Sequence, residues 1–446
     1  MLNQLKGNSL KATLMRGGII SIAVQVFGLG FSLLTAVVLA RTLGPEQYGV
    51  YSYVLAIVSI LAIPAMFGLP TLIVRETAKA EVKEEWGKIR GLWFWSNSVT
   101  ASLSLIIALI TATLLWLNRD SFTQIQFLTF AWGIAFIPLS ALAALRGASL
   151  RGLRKVIQGQ LPEQIIKPAL FIIMLVIVSV TGIKQLTAES AMMLNALSAG
   201  VAFVFGAWVL YRVKPKQLNT AKKEFERKAW VASVIPLAMV AGLDILIHQT
   251  DILMLGLLGT SEEVGLYRVA IQGATLITIG TAMVGMVVNP YFSRFYNQNE
   301  MEKFKKLTTY SARAAFIVVL PIAIVFLFAG EWLVTLVFGQ SYSAASIPLV
   351  ILTAGQLIHV AVGLGGPLLN MCGYEKATLY AQIAAVITNV ALNYILIPVY
   401  GINGAAYATF IAILVRKAAV WYMVYRYLKL DTSILGIQFN KGQVSE

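Results

Sequence analysis

From Leu14 to Tyr425 the sequence alternates apolar runs with short charged interruptions, and this alternation decides which solvent the chain folds in. Hydrocarbon of ~30 Å needs about 20 apolar residues per helix. With 58% hydrophobic and 12% charged residues among 446, the chain has too little polar surface to cover a water-soluble fold of this size. The runs predict twelve transmembrane helices: Leu14–Ala40, Gln47–Gly68, Gly91–Leu117, Phe122–Ala144, Ile165–Thr181, Ala188–Leu210, Ala229–Leu258, Glu263–Val288, Thr308–Ala329, Ser346–Met371, Ala377–Val399 and Ile402–Tyr425. Lys6, Lys11 and Arg16 precede a first run too long for the apolar part of a signal peptide, so it reads as an uncleaved first helix.

A net charge of +15 would in a soluble protein suggest nucleic acid. Here the cations sort by loop. With the N-terminus inside, all but four of the 35 Lys and Arg fall on the cytoplasmic side, which predicts a cell-membrane protein with both termini cytoplasmic. The exceptions are Arg41, Arg119 and Lys184, read as outside, and Arg268, which falls within span eight. A miscounted span would have scrambled this separation, so the charge supports the even count.

The sequence also repeats. Leu43-Gly44-Pro45-Glu46-Gln47-Tyr48-Gly49-Val50-Tyr51 returns, with one insertion, as Leu258 to Tyr267. Gly152-Leu153-Arg154-Lys155 echoes Gly373-Tyr374-Glu375-Lys376, and Gly182-Ile183 echoes Gly401-Ile402. Six spans return the chain to its starting side, so the halves have parallel topology. The expected architecture is all-α, with six-helix lobes at 1–215 and 229–430 around a central cavity, a linker at 216–228 and a cytoplasmic tail at 431–446.

Ionisable side chains at bilayer depth are costly and so are functional candidates. Asp244, His248 and Asp251 in span seven are spaced i, i+4, i+7, on one helix face. Two carboxylates flanking an imidazole suit cation or proton coupling, or else form a polar seam between helices; both readings stand open. Asp251 and Arg268 are equally far from the turn near Gly259–Thr260, which predicts an ion bridge between them. Arg268 is the one cation read at that depth. Its guanidinium suits a substrate phosphate, with Asp251 holding it when the site is empty, or the pair is a permanent clamp between the two helices. Glu163 and Lys167 predict a local i, i+4 salt bridge, and Gly363-Leu364-Gly365-Gly366-Pro367 a break in span ten after His359. Tryptophans 86, 93, 95, 116, 230 and 332 lie near span ends, as an interfacial belt would place them.

Cys372 stands alone, which excludes a disulfide framework and a Cys-based metal site. No catalytic set, cofactor or metal site is read. A glycan polymerase or glycosyltransferase would need catalytic residues outside the membrane. The longest outside loop, Gly330–Ala345, has only Glu331, and no Asp-x-Asp motif exists.

At Leu39-Ala40-Arg41-Thr42-Leu43-Gly44-Pro45-Glu46-Gln47-Tyr48-Gly49-Val50-Tyr51-Ser52 the chain resembles the Wzx-type polysaccharide biosynthesis flippases of the MOP superfamily, whose fold is MATE-like. Phe67-Gly68-Leu69-Pro70 leading to Arg75-Glu76-Thr77-Ala78, and Gly401-Ile402-Asn403-Gly404-Ala405-Ala406, extend the likeness over the chain. The resemblance implies a carrier of undecaprenyl-diphosphate-linked oligosaccharides for O-antigen, capsule or exopolysaccharide. It also implies alternating access, coupling to a proton or sodium gradient, membrane lipids as surroundings and polysaccharide-assembly proteins as partners. On that reading Arg268 and Arg41 bind the diphosphate, while Asp244, His248 and Asp251 couple or gate. Related lipid II flippases carry a cluster of cavity arginines and two added helices, neither of which is present here. A cation-coupled multidrug antiporter of the same superfamily is the alternative.

Overall fold

The computed structural model describes residues 10–181 and 186–436, with side chains from residue 23 onward except those of residues 240, 244, 286 and 290. Lys6, Lys184, Lys441 and the Gly182-Ile183 echo lie outside the described residues, as do the side chains of Lys11 and Arg16. Among the described residues the regular structure is wholly helical: α1 (Leu10–Met66), α2 (Leu69–Val82), α3 (Trp86–Leu117), α4 (Gln124–Gly152), α5 (Val156–Leu161), α6 (Lys167–Thr181), α7 (Ala188–Val213), α8 (Gln217–Thr220), α9 (Arg227–Leu258), α10 (Ser261–Asn297), α11 (Met301–Phe338), α12 (Ser346–Ala361), α13 (Gly365–Met371) and α14 (Glu375–Leu428), with a π turn at Pro162–Ile166.

Ten of the described segments are long and apolar enough to cross a membrane, counting as one span the pair Arg227–Leu243 and Ile245–Leu258, which meets at a 44° bend. Two of them, at 44 and 54 residues, would run about 66 and 81 Å if straight, more than twice the ~30 Å of hydrocarbon. Each is broken by a glycine outside helical geometry, Gly44 (φ 72°) in α1 and Gly401 (φ 54°) in α14. Left-handed backbone costs an L side chain but not glycine, and Pro45 then starts the next helix without needing its missing N–H satisfied. Divided there, the ten give twelve described segments, consistent with the expected count. Outward faces carry bare apolar side chains such as Phe328, Val180 and Leu117 at 87, 81 and 72% exposure, which only lipid accommodates at no cost.

The chain packs as two compact units, Met1–Gln249 and Thr250–Glu446. In the first, Leu69, Leu72 and Ile73 of α2 pack with Leu92 of α3, Leu145 and Ala148 of α4, and Trp230 and Val234 of α9. Trp230 is 3% exposed and its ring lies 5.4 Å from that of Trp95, so it belongs to a core and not to an interfacial belt. Trp116 and Trp332 do stay exposed near their helix ends. In the second unit, Phe292 of α10, Phe304 of α11, Leu368 of α13 and Val424 of α14 form the corresponding core.

The repeat is visible in the turns. Glu84 and Asn299 take φ 56°, and the residue after each donates its N–H five residues back, Glu85 to Ala80 and Glu300 to Phe295, both at 2.9 Å. Arg154 (φ 60°) and Gly373 (φ 87°) do the same, with Lys155 donating to Leu150 and Tyr374 to Leu369. All four are Schellman-type helix ends. They pair Arg154 with Gly373, two residues away from the register in which the sequence echo pairs Gly152 with Gly373.

Three expectations are corrected. Gly330–Ala345 is not a loop: α11 runs to Phe338 and a 3-10 turn fills Gln340–Ala345. The break expected in span ten, by contrast, is present: α12 stops at Ala361, Gly363 (φ 82°) interrupts it and the short α13 carries the segment to Met371. Glu163 pairs with Arg146 at 2.8 Å instead of with Lys167, whose ammonium lies 4.4 Å from the Phe136 ring centre. Arg146, read from sequence as a loop cation, is 5% exposed within α4 and donates to the carbonyls of Ala202 (3.1 Å) and Phe203 (2.8 Å) on α7. Gly206 makes the room, since a Cβ there would overlap the guanidinium.

Candidate functional site

In the second unit a buried polar cluster forms around Asp251, whose residue is only 6% exposed. Oδ1 accepts from Asn389 Nδ2 at 2.9 Å and Asn393 Nδ2 at 2.8 Å. Oδ2 accepts from Tyr267 Oη at 3.0 Å and from Thr409 Oγ1. Asn393 also donates to Asn389 Oδ1 (3.1 Å), and Asn389 to Thr409 (3.1 Å).

Local structure explains the convergence. Asn389 and Asn393 are one turn apart on α14 and so share a face. Thr409 lies beyond the Gly401 break, where the chain doubles back beside its own first part. Gly404 packs so close to the Leu396 carbonyl that a Cβ there would overlap it. The turn from α9 to α10 is set by a capping box: Thr260 N donates to Glu263 Oε2 (2.8 Å) and Glu263 N to Thr260 Oγ1 (3.2 Å). Gly401 lies against that same Glu263, where a Cβ would come within 2.5 Å of Oε1, so the cap also fixes the register of α14.

Chemically, the cage surrounds one carboxylate with four neutral donors and no cation. Hydrogen bonds offset part of the cost of burying a carboxylate, but no ion pair among the described residues neutralises it. Tyr267→Phe removes one donor and keeps the ring; we expect a loss of about 1–3 kcal/mol, read as a lower thermal unfolding midpoint in detergent. An unchanged midpoint would mean that the hydroxyl does not support the cage.

The predicted Asp251–Arg268 bridge does not form. Tyr267 faces Asp251, and the next residue on a helix points about 100° away. Arg268 is half-buried and makes no hydrogen bond or ion pair with a described residue. Arg268 is also not alone among interior cations: Lys417 is 6% exposed, with its Nζ 2.8 Å from the Gly363 carbonyl, and Arg416 lies 3.1 Å from His359 Nδ1. His248 is exposed, three residues before Asp251 and about 60° round the helix. The Asp244 side chain lies outside the described residues, at the bend in α9. Arg41 is exposed three residues before the Gly44 break. Cys372 follows α13, where burial pushes its thiol up to about 11, so it is a poor nucleophile at neutral pH.

Sequence reasoning named Asp251 but missed Tyr267, Asn389, Asn393 and Thr409 as its partners. The available signal was two amides at i, i+4 in an otherwise apolar span. Among the described residues the first unit shows no copy of the cage. Tyr51, the counterpart of Tyr267, instead accepts from Asn195 at 2.9 Å, and the positions 219 before Asn389 and Asn393 are Leu170 and Met174.

Among solved structures, an inward-facing multidrug resistance MATE family transporter of the MOP superfamily superposes with a TM-score of 0.72 at 15% identity, covering 92% of this chain and 98% of that one. The lipid II flippase MurJ in an inward closed conformation superposes at 0.69 and 16% identity, covering 91 and 87%. These likenesses show the MATE-like fold. In sequence, the "Probable low-salt glycan biosynthesis flippase Agl15" of Haloferax volcanii is 24% identical over 438 residues, 97% of this chain and 86% of that protein. The MatE family model matches residues 236–395, and the model described as polysaccharide biosynthesis protein matches residues 14–296. More than half the chain lies within that last match, and the chain belongs to the polysaccharide biosynthesis protein family.

Proposed function

We propose that the protein is a glycan flippase of the cell membrane, N- and C-termini cytoplasmic, moving undecaprenyl-diphosphate-linked oligosaccharides outward by alternating access. The glycan would serve O-antigen, capsule or exopolysaccharide synthesis. The observation that carries this reading is the alignment of a flippase-named relative along 97% of the chain; likeness of fold alone would leave function open. A diphosphate cannot cross hydrocarbon unaided, because desolvating its charges is prohibitive, whereas the polyprenyl tail can stay in lipid. Arg268, which spends its guanidinium on no described partner, is assigned to the diphosphate, and Arg41, just before the Gly44 break in α1, to the same group. Asp251 is the coupling carboxylate, with Asp244 at the bend of α9 and His248 on the following turn as gating residues. Proton or sodium movement would drive the cycle, alongside polysaccharide-assembly partners.

Arg268→Ala is expected to lower glycan export at least about tenfold at normal abundance, the effect of losing one charge-assisted contact of 1.5–3 kcal/mol. Full export by that variant in a complemented deletion strain would remove Arg268 from the site. One observation favours a second reading, a cation-coupled multidrug antiporter: the MatE match contains Asp251, Asn389 and Asn393. Cationic-dye resistance in the complemented strain, with glycan export unchanged by deletion, would select it.

A further inference from the structure

The segment following α14 does not trail away. Ile434 N donates to the Ala361 carbonyl (2.9 Å), Thr432 Oγ1 to the Val362 carbonyl (2.8 Å), and Arg313 Nε on α11 to the Ile434 carbonyl (2.8 Å). Asp431 is held by Trp421 Nε1 (3.0 Å), Ser433 N (2.9 Å) and Ser433 Oγ (2.8 Å). Gly363 lies under this strap, with the Thr432 carbonyl where its Cβ would be. Residues 430–436 therefore form a fixed wall against the start of α11.

Between that wall and α11 lies a cavity of about 270 Å³, lined by Lys305, Lys306, Arg313 and Lys429 with Glu302 and Asp431. Four cations face two carboxylates. None of the four is in an ion pair among the described residues, and the Asp431 oxygens already accept the strap's own donors. Lys429 is set at the cavity's edge by its left-handed backbone (φ 54°), which ends α14 and starts the strap. The cavity lies near the first turns of α11, the end of the span at which the sequence concentrates its cations.

We propose that this cavity binds a phosphate-bearing group, carried by an anionic lipid headgroup or as free phosphate, separately from the Asp251 cage. An anion there supplies a counter-charge to cations whose contacts are otherwise neutral, Arg313 on the strap carbonyls and Lys429 over the Tyr425 ring, and the strap fixes the cavity's shape before the ligand arrives. A phospholipid in the adjoining leaflet brings its phosphate to this depth with its chains in the bilayer.

The test is native mass spectrometry of the full chain in detergent. It compares dioleoylphosphatidylglycerol, dioleoylphosphatidylcholine and inorganic phosphate against wild type, K305Q/K306Q/K429Q, the charge-keeping K305R/K306R, and a control, K83Q/K376Q, that removes exposed lysines elsewhere. A headgroup site predicts wild-type retention of phosphatidylglycerol over phosphatidylcholine, weakened at least about tenfold by the triple Gln variant, and unaffected by the Arg variant or the control. A free-phosphate site predicts the same variant pattern for inorganic phosphate. Equal retention by wild type and the triple variant, or an equal loss in the control, would overturn the proposal. Size-exclusion profiles matching wild type show that the variants are folded.

Discussion

Asp251→Asn is expected to leave the protein in the membrane at ordinary abundance while lowering gradient-driven glycan export about 5- to 150-fold, the span of a coupling free energy of 1–3 kcal/mol. Asparagine keeps the size of the side chain but replaces one acceptor oxygen with an NH₂. The cage supplies four donors, Asn389 and Asn393 to one oxygen and Tyr267 and Thr409 to the other, so the two at the replaced oxygen would then face an NH₂. That mismatch costs about 1–3 kcal/mol, well short of unfolding a chain of this size. On the proposed coupling role the functional loss would be larger, because a neutral amide lacks the charge that role requires. Glycan export measured against immunoblotted protein separates the two effects, and export at wild-type level from Asp251→Asn would remove Asp251 from the coupling path.

The second large effect lies in the first unit and concerns stability. Glu163→Gln leaves the Arg146 guanidinium, 4% exposed as a side chain, with two carbonyls and no counter-charge. Breaking a buried pair by removing one partner costs 3–5 kcal/mol, and Glu163, one-third exposed, places the expected loss near the lower end, about 3 kcal/mol. Arg146→Met/Glu163→Leu should recover most of it, since replacing both charges by apolar groups avoids the stranded cation. Thermal unfolding in detergent reads both variants; equal losses would show that the pair is not the source of the effect.

These effects fall on residues of unequal legibility. The apolar helical segments could be read because apolar length and one-sided charge are properties of the chain alone, and the glycine breaks at Gly44 and Gly401 follow from residue type. Asp251 could be read as a carboxylate in an apolar run. Its partners could not: Asn389, Asn393 and Thr409 lie more than a hundred residues along the chain, and only the reversal at Gly401 and the cap at Glu263 set their register. The bridge to Arg268 was misread by one residue. Equal distance from the turn placed residues 267 and 268 at nearly the same depth, but helix rotation gave the contact to Tyr267. Arg146 was misplaced because helices continue past their apolar segments, and α4 carries it inward against the space left by Gly206.

The central claim, that Asp251 couples an ion gradient to the movement of a lipid-linked glycan, is tested most directly in proteoliposomes. They would contain the purified chain, an undecaprenyl-diphosphate-linked oligosaccharide and an imposed proton or sodium gradient. The account predicts that the oligosaccharide crosses faster with one of these gradients than without it, and that Asp251→Asn abolishes the acceleration. Crossing no faster than in protein-free vesicles, or an acceleration that survives Asp251→Asn, would contradict it.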